Sequence, residues 1–426
     1  MVEKANTRSE NRRERHRRGL PRVSVNESEA FCLEVCRNTF LSLWSYANPQ
    51  GKNAGDELCD ILVVCDPDVV IISVKDCTLG DSGDKELDWR RWLKRAVEKS
   101  ADQIYGAARC LQGRSCVVRN DGEIGLPLPP QDEMRLHRVA IAFGGGGEIP
   151  LAPNDFGKGF VHVLDERSFQ VLLRELDTIT DFADYLVARE RFQAQGKTII
   201  AAEEADVLAV YLHNNRSFPD ADLLLVEEGS WEQLVQKAQK QAKDKADRVS
   251  YLWDDLIEEV SQDALQGKLE FGSTLEEAEV ALREMARENR FERRILAAAY
   301  LEFLEMSKTE PRARYLQSPS GRTYVFLALQ HGTSREIRRD DLQMRCVAAK
   351  TKFPDADVIV GIATEQYVQG SGHSLDVAFL RAGAWTDEHH VAAREIQETR
   401  GYFRDSTSTE RSEDEYPEVG HTGGKP

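Results

Sequence analysis

Two short apolar, β-branched runs on either side of a proline turn constrain this chain more than any other feature. Residues 55–76 read Gly-Asp-Glu-Leu-Cys-Asp-Ile-Leu-Val-Val-Cys-Asp-Pro-Asp-Val-Val-Ile-Ile-Ser-Val-Lys-Asp. The runs flank Asp66-Pro67-Asp68, which predicts a β-hairpin. Each carries one ionisable residue where a buried strand should be apolar: Asp60 opens the first and Lys75 closes the second. With residue 66 opposite 69, Asp60 falls opposite Lys75, and directly opposed Cβ atoms lie about 4.5–5.5 Å apart. Such a pair is either a cross-strand salt bridge, the commoner case, or half of a metal-dependent site that cleaves phosphodiesters.

The flanking segments bear on that choice. A helix is expected before the hairpin, over 28–47, with Glu34 among Phe31, Leu33, Val35 and Phe40. A second is expected after it, over 88–111, carrying Arg90, Arg91, Lys94 and Arg95 and then Gln103. In this order of helix, acid-bearing strand, lysine-bearing strand and basic helix, residues 28–118 resemble the PD-(D/E)xK nuclease superfamily. The fold that the resemblance implies is α/β, a restriction-endonuclease-like mixed sheet flanked by helices. Asp60 matches the family's first acid, Lys75 its motif lysine, Gln103 a glutamine that some members carry on the following helix, and Glu34 an acid on the preceding helix. The pattern departs at Ser73, where the family has its second acid. A hydroxyl is a poorer ligand for a hard cation than a carboxylate, so Glu57 or Glu34 would have to supply the missing oxygen.

The resemblance implies Mg²⁺ (or Mn²⁺) as cofactor, held by Asp60 with Glu57 or Glu34. Mg²⁺ keeps several waters and needs only one or two carboxylates. Lys75 would then orient or deprotonate the attacking water or steady the phosphate, and Gln103 would touch phosphate or water. Nucleic acid, DNA ahead of RNA, is the expected substrate, with restriction or defence against mobile elements as the setting. The competing expectation is a nuclease-like scaffold that has lost catalysis. A protein partner or a homo-oligomer is also compatible with the chain.

The net charge of −17 argues against a protein that coats nucleic acid non-specifically. It leaves room for a local basic groove, for which Arg90, Arg91, Lys94 and Arg95 are the candidates; the plainer reading of those four is a solvated helix face. The first 23 residues hold eight Lys/Arg and three Glu with no apolar stretch behind them, so a basic arm rather than a secretory leader is expected over 1–27. Eight cysteines without a Cys-x-x-Cys pair or zinc-ligand spacing fit a reducing, cytoplasmic setting. No run approaches the ~20 apolar residues of a membrane span.

The hairpin domain is expected over 28–130, a mixed and then helical region over 131–308, and a small α/β unit over 309–402. Residues 403–426, rich in Ser, Thr, Glu, Asp and Gly, read as a disordered acidic tail. Within the middle region, Gly144–Gly147 follows a strand but lacks the lysine of a phosphate loop, and Pro150 and Pro153 forbid a helix there. Asp165 is a candidate helix cap, residues 205–213 fit a strand or a helix, and Thr274-Leu-Glu-Glu277 signals a capping box. His373, Asp376 and Glu365 could form an acid–base cluster, although a polar strand edge is the plainer reading.

Overall fold

The computed structural model describes residues 27–418 apart from 54, 147–149, 271–272, 369–373, 384, 405 and 407–411. It is a mixed α/β protein that divides into two units, 1–241 and 242–426. Of the basic arm expected over 1–27, residues 1–26 lie outside the described residues, as does His373, and Glu27 belongs to the first helix.

The first unit opens with helix α1 (Glu27–Phe40), which turns Cys32, Leu33, Cys36 and Phe40 inward. The helix stops well short of 47. A 3₁₀ turn at Ser42–Trp44 leads into β1 (Ser45–Ala47). Then come β2 (Ile61–Cys65) and β3 (Asp68–Asp76). Both are buried on two faces except at the Lys75-Asp76 end, which is why they read as unbroken apolar runs. Helix α2 (Lys85–Leu93) passes through one π-helical turn, Lys94–Glu98, into α3 (Lys99–Leu111). Strand β4 (Arg135–Phe143) returns parallel to β3, and β6 (Phe160–Asp165) lies parallel to β4 with the two-residue β5 (Asn154–Asp155) on its outer edge. The sheet order is β1-β2-β3-β4-β6-β5, with β2 antiparallel to both β1 and β3.

Helices cover both faces. Leu62, Val64, Val69, Ile71, Ala140 and Ala142 share a core with Trp92, Ala96, Val97, Ile104 and Tyr105 of the α2–α3 segment. On the other face Phe31 of α1 meets Phe143 and also Phe169 of α4 (Glu166–Glu175) edge-on, with ring centroids 6.5 Å apart in both cases. Asp165 caps α4, its Oδ1 accepting from the Ser168 N–H at 2.7 Å. Strands β4 and β6 extend the hairpin sheet to residue 165, so the boundary expected at 130 falls inside one sheet. Helices α5 (Ile179–Ala194), α6 (Glu204–His213) and α7 (Ser230–Gln236) complete the unit. The ambiguous segment 205–213 is therefore helical.

The second unit begins within α8 (Ala238–Asp247), continues through α9 (Tyr251–Leu265), α10 (Leu275–Ala286) and α11 (Arg290–Ser307), and then forms a four-stranded sheet. Its strands are β7 (Arg312–Gln317), β8 (Thr323–Leu329), β9 (Val358–Glu365) and β10 (Asp376–Arg381), with α12 (Arg335–Ala349) crossing from β8 to the parallel β9. Helix α13 (Asp387–Arg400) follows. The capping box at Thr274 is present. Trp253 of α9 packs against the rings of Tyr324 and Phe326 on β8, so the helices and the sheet expected as separate regions share one core. The tail expected to be disordered is described over 412–418, where it lies against α8 and α11. Among the described residues no helix is long and apolar enough to cross a membrane.

Candidate active site

The β2–β3 turn spends only two residues, Asp66 and Pro67, so Cys65 stands opposite Asp68 and Ile61 opposite Ile72. Continuing that register puts Asp60, just ahead of β2, across from Ser73. The expected pairing of Asp60 directly opposite Lys75 assumed a turn centred one residue later, and the observed register corrects it. The two arrangements keep the same face, because side chains repeat every second residue. Lys75 still reaches back diagonally, its Nζ 3.6 Å from Asp60 Oδ2. The same oxygen accepts the Val74 backbone N–H at 2.5 Å. Asp60 is buried, whereas the Lys75 side chain is 29 % exposed.

The second carboxylate comes from Glu57. Residues 48–53 and 55–58 fold back beside the hairpin: Leu58 N donates to Pro49 O at 2.8 Å, Gln50 and Glu57 form an isolated bridge, and Arg114 Nη1 donates to Gln50 O at 2.7 Å. This brings the Glu57 carboxyl into hydrogen-bonding contact with Asp60. Glu57 is exposed, yet its pKa is pushed up to about 7. Partial desolvation contributes most, then the hydrogen bond and charge of Asp60 and the charge of Glu29, against which Lys75 pulls it down. A neighbouring carboxylate makes ionisation of Glu57 costlier and so favours its protonated form.

Glu34, the acid expected from α1, sits on that helix's exposed side. The α1 acid whose charge reaches Glu57 is Glu29. Burial first, and then the charges of Asp60, Glu166 and Glu29, push the Cys32 thiol up to about 12. The charge of Glu29 thus bears on both Glu57 and Cys32, although Glu29 does not stand out in the sequence. A faint signal exists for Glu29, which shares the helix stripe of Cys32 and Cys36 at three- and four-residue spacing.

Ser73 is fully buried, and its Oγ donates to Gln103 Oε1 at 3.0 Å. Gln103 thus reaches the hairpin from α3, and this bond leaves its amide N–H donors unused. The basic row Arg90, Arg91, Lys94 and Arg95 is exposed, the last two on the π turn. Its helix is fastened to the loop that follows Lys75. Trp92 Nε1 donates to Cys77 O at 2.6 Å, Arg95 Nη2 to Thr78 O at 3.1 Å, and Asp88 Oδ2 accepts from Ser82 N at 2.6 Å.

A second acidic group, Glu203, Asp206 and Glu232, was not anticipated. Arg167 already lies between its members, with Nη1 3.2 Å from Glu203 Oε1 and a direct bond from Nη2 to Glu232. Fully buried Asp206 accepts the Trp231 N–H at 2.9 Å and the Gly229 N–H at 3.3 Å where α7 begins. These partners account for the group without an ion. In the second unit Glu365 and Asp376 do come together, but through the buried Arg338, which bonds both.

Comparison with protein-family models, with curated proteins and with solved structures finds no match for this chain.

Proposed function

We propose that the first unit has a restriction-endonuclease-like fold and hydrolyses phosphodiester bonds with a divalent cation, Mg²⁺ or Mn²⁺, with DNA as the preferred substrate. One observation carries this reading: the buried Asp60 carboxylate has the Lys75 Nζ 3.6 Å from its Oδ2 and the Glu57 carboxyl as its neighbour. Two neighbouring carboxyl groups, one of them kept protonated by the other, are the kind of oxygen donor set whose proton a hard cation displaces. The donor set therefore fits, with Asp60 and Glu57 as the residues that would hold the ion and Glu29 adding negative charge. The ion would supply charge neutralisation at the phosphate and a water acidic enough to attack near neutral pH.

The chain's own groups do the rest. The Val74 N–H and Lys75 both hold Oδ2 of the Asp60 carboxylate. Lys75, partly open to solvent, offers its ammonium to a phosphoryl oxygen or to the attacking water. Gln103, steadied by Ser73, offers amide N–H donors to the same phosphate. Arg90, Arg91, Lys94 and Arg95 line a helix fastened beside the site and suit contact with the flanking phosphates.

The reading is tested by incubating supercoiled plasmid, single-stranded DNA and RNA with the protein and Mg²⁺ or Mn²⁺, beside a folded Lys75→Ala variant. Cleavage by the wild type alone is expected. Equal cleavage by both, or none by either together with no calorimetric Mn²⁺ binding, would overturn it. The second reading is a catalytically degenerate scaffold. It is favoured by the Ser73–Gln103 hydrogen bond, which stands where the family's second acid would be.

A further inference from the structure

Two buried cations on the second unit hold the acidic tail in place. Lys243 of α8 and Arg294 of α11 are 3 % and 4 % exposed. Both pair with Asp247, Lys243 Nζ at 2.6 Å from Oδ2 and Arg294 Nη1 at 3.0 Å from Oδ1. Among these three groups one positive charge is in excess, and the tail meets it. Arg294 donates from Nη2 to Asp414 O at 2.7 Å and from Nη1 to Glu415 O at 3.2 Å, and its Nε lies 3.6 Å from Glu413 Oε2. Lys243 Nζ is 3.8 Å from Glu415 Oε1 and 6.0 Å from the Tyr416 ring centroid. The chain just ahead is anchored, since Tyr402 bonds to Asp341 and Phe403 packs on Tyr315 with centroids 4.8 Å apart. The tail is thus an intramolecular ligand on a short tether, whose effective concentration at its slot is on the order of millimolar.

The seat is nevertheless imperfect. Arg294 Nε is buried with no hydrogen bond, because the Glu413 carboxylate stands too far off to accept one. A guanidinium edge left short of an acceptor is best completed by an anion with closely set oxygens, and phosphate is the anion that forked geometry matches. A segment that presents three successive carboxylates and then an aromatic ring, Glu413-Asp414-Glu415-Tyr416, also offers the two group types, anions and a flat ring, that a nucleic-acid strand carries.

We propose that residues 413–416 are a releasable mask over a phosphodiester-binding slot formed by Lys243 and Arg294, so that the tail and a nucleic-acid strand compete for the same two cations. This rests on the reading of the protein as one that acts on nucleic acid, but it concerns binding at the second unit, not cleavage at the hairpin.

The test is carried out in the full chain with Lys75→Ala and EDTA, so cleavage plays no part. Binding of a fluorescent single-stranded oligodeoxythymidylate is followed by anisotropy at low salt. The variant Glu413→Gln/Asp414→Asn/Glu415→Gln/Tyr416→Ala is expected to bind roughly fivefold or more tightly than its parent. A control carrying Glu388→Gln/Glu395→Gln/Glu398→Gln on α13 loses the same charge and is expected to stay near the parent. Adding Lys243→Gln to the tail variant should abolish the gain, and circular dichroism verifies that it is folded. Equal affinities of parent and tail variant, including no binding by either, would overturn the mask. So would an equal gain in the control, which would reduce the effect to net charge. An acidic peptide with the sequence of 412–418 that binds the tail variant while the oligonucleotide does not would make the slot a peptide site instead.

Discussion

The Val74 backbone N–H donates to Asp60 Oδ2 at 2.5 Å, tying the first residue of the hairpin to the strand that bears Lys75. A buried carboxylate that satisfies a backbone donor is structural as well as chemical, and the two roles separate by substitution. Asp60→Ala leaves the Val74 N–H without its acceptor in a buried setting, a loss of about 1–3 kcal/mol. Asp60→Asn retains an acceptor oxygen and should lose less than about 1 kcal/mol, yet it should abolish cleavage and Mn²⁺ binding alike. Urea unfolding beside isothermal calorimetry separates the two. An Asn variant that still binds Mn²⁺ like the wild type would remove Asp60 from the metal site.

Glu57 gives the site a pH signature. Its pKa rises from 4.5 to about 7 on folding, so between those values the folded chain holds a proton that the unfolded chain has released. Its contribution to stability is therefore greatest below pH 4.5 and declines as the pH climbs to 7, opposite to the trend of a salt-bridged acid. Glu57→Gln should flatten this part of a thermal-melting profile. A divalent cation must displace the same proton, so Mn²⁺ affinity should increase as the pH rises toward 7 and level off above it. Affinity that does not change over this range would mean that Glu57 is not a ligand.

Ser73 discriminates between an active and a degenerate site. Its hydroxyl is fully buried and bonded to Gln103, and it faces the same side as Asp60. Ser73→Asp would add a third carboxylate beside Asp60 and Glu57. Without metal it should lower the melting temperature, because like charges crowd in a desolvated space. With Mn²⁺ it should raise the melting temperature more than the wild type's does, since ligand binding stabilises more as affinity rises. If metal does not restore the melting temperature of Ser73→Asp, the scaffold reading gains.

What could be read from the chain, and what could not, follows from distance along it. Asp60 and Lys75 were legible because a hairpin brings together residues that a short turn already relates. The register itself was not, since a two-residue turn and a slightly later one leave the same apolar pattern. Glu57 was visible as an acid near Asp60, but its contact depends on a loop held by Arg114 from another element. Glu29 displaced Glu34 because the inward stripe of α1 is set by Cys32, Leu33 and Cys36, and Glu34 points off that stripe. The domain limits missed for the same reason: parallel pairing of β3 with β4 joins residues separated by the whole α2–α3 crossover. Lys243 and Arg294 look like ordinary helix charges until a tail more than a hundred residues away covers them.

The basic row should act more on binding than on folding. Arg90, Arg91 and Lys94 are exposed, so changing them to Ala should alter stability by no more than about 0.5 kcal/mol at each site, whereas Arg95→Ala also loses the bond to Thr78 O and should cost about 0.5–1.5 kcal/mol. If they neutralise phosphates, oligonucleotide affinity should fall. The slope of log affinity against log salt should also become shallower by about 0.7–0.9 for each phosphate no longer neutralised. A parallel shift without a change of slope would place these side chains away from the strand.

The buried network of the second unit yields the largest predicted loss of stability. Arg338 is fully buried at the sheet end of α12. Its Nη1 lies 3.0 Å from Glu365 Oε1, its Nη2 donates to Ser374 Oγ at 2.5 Å, and its Nε bonds Asp376. Asp376 has a second partner in Arg335 at 2.8 Å, and Glu365 a second in His331 at 2.9 Å. The acid–base cluster suggested by the sequence is thus a brace of opposite charges between α12, β9 and β10. Arg338→Met leaves Asp376 with Arg335 and Glu365 with His331 as their remaining partners and should cost up to about 3–5 kcal/mol. Arg338→Lys keeps a charge but not the planar fork, and should fall between. Urea unfolding of the three proteins checks the order. Plasmid cleavage by whatever fraction remains folded should match the wild type, because the brace touches no residue of the hairpin site.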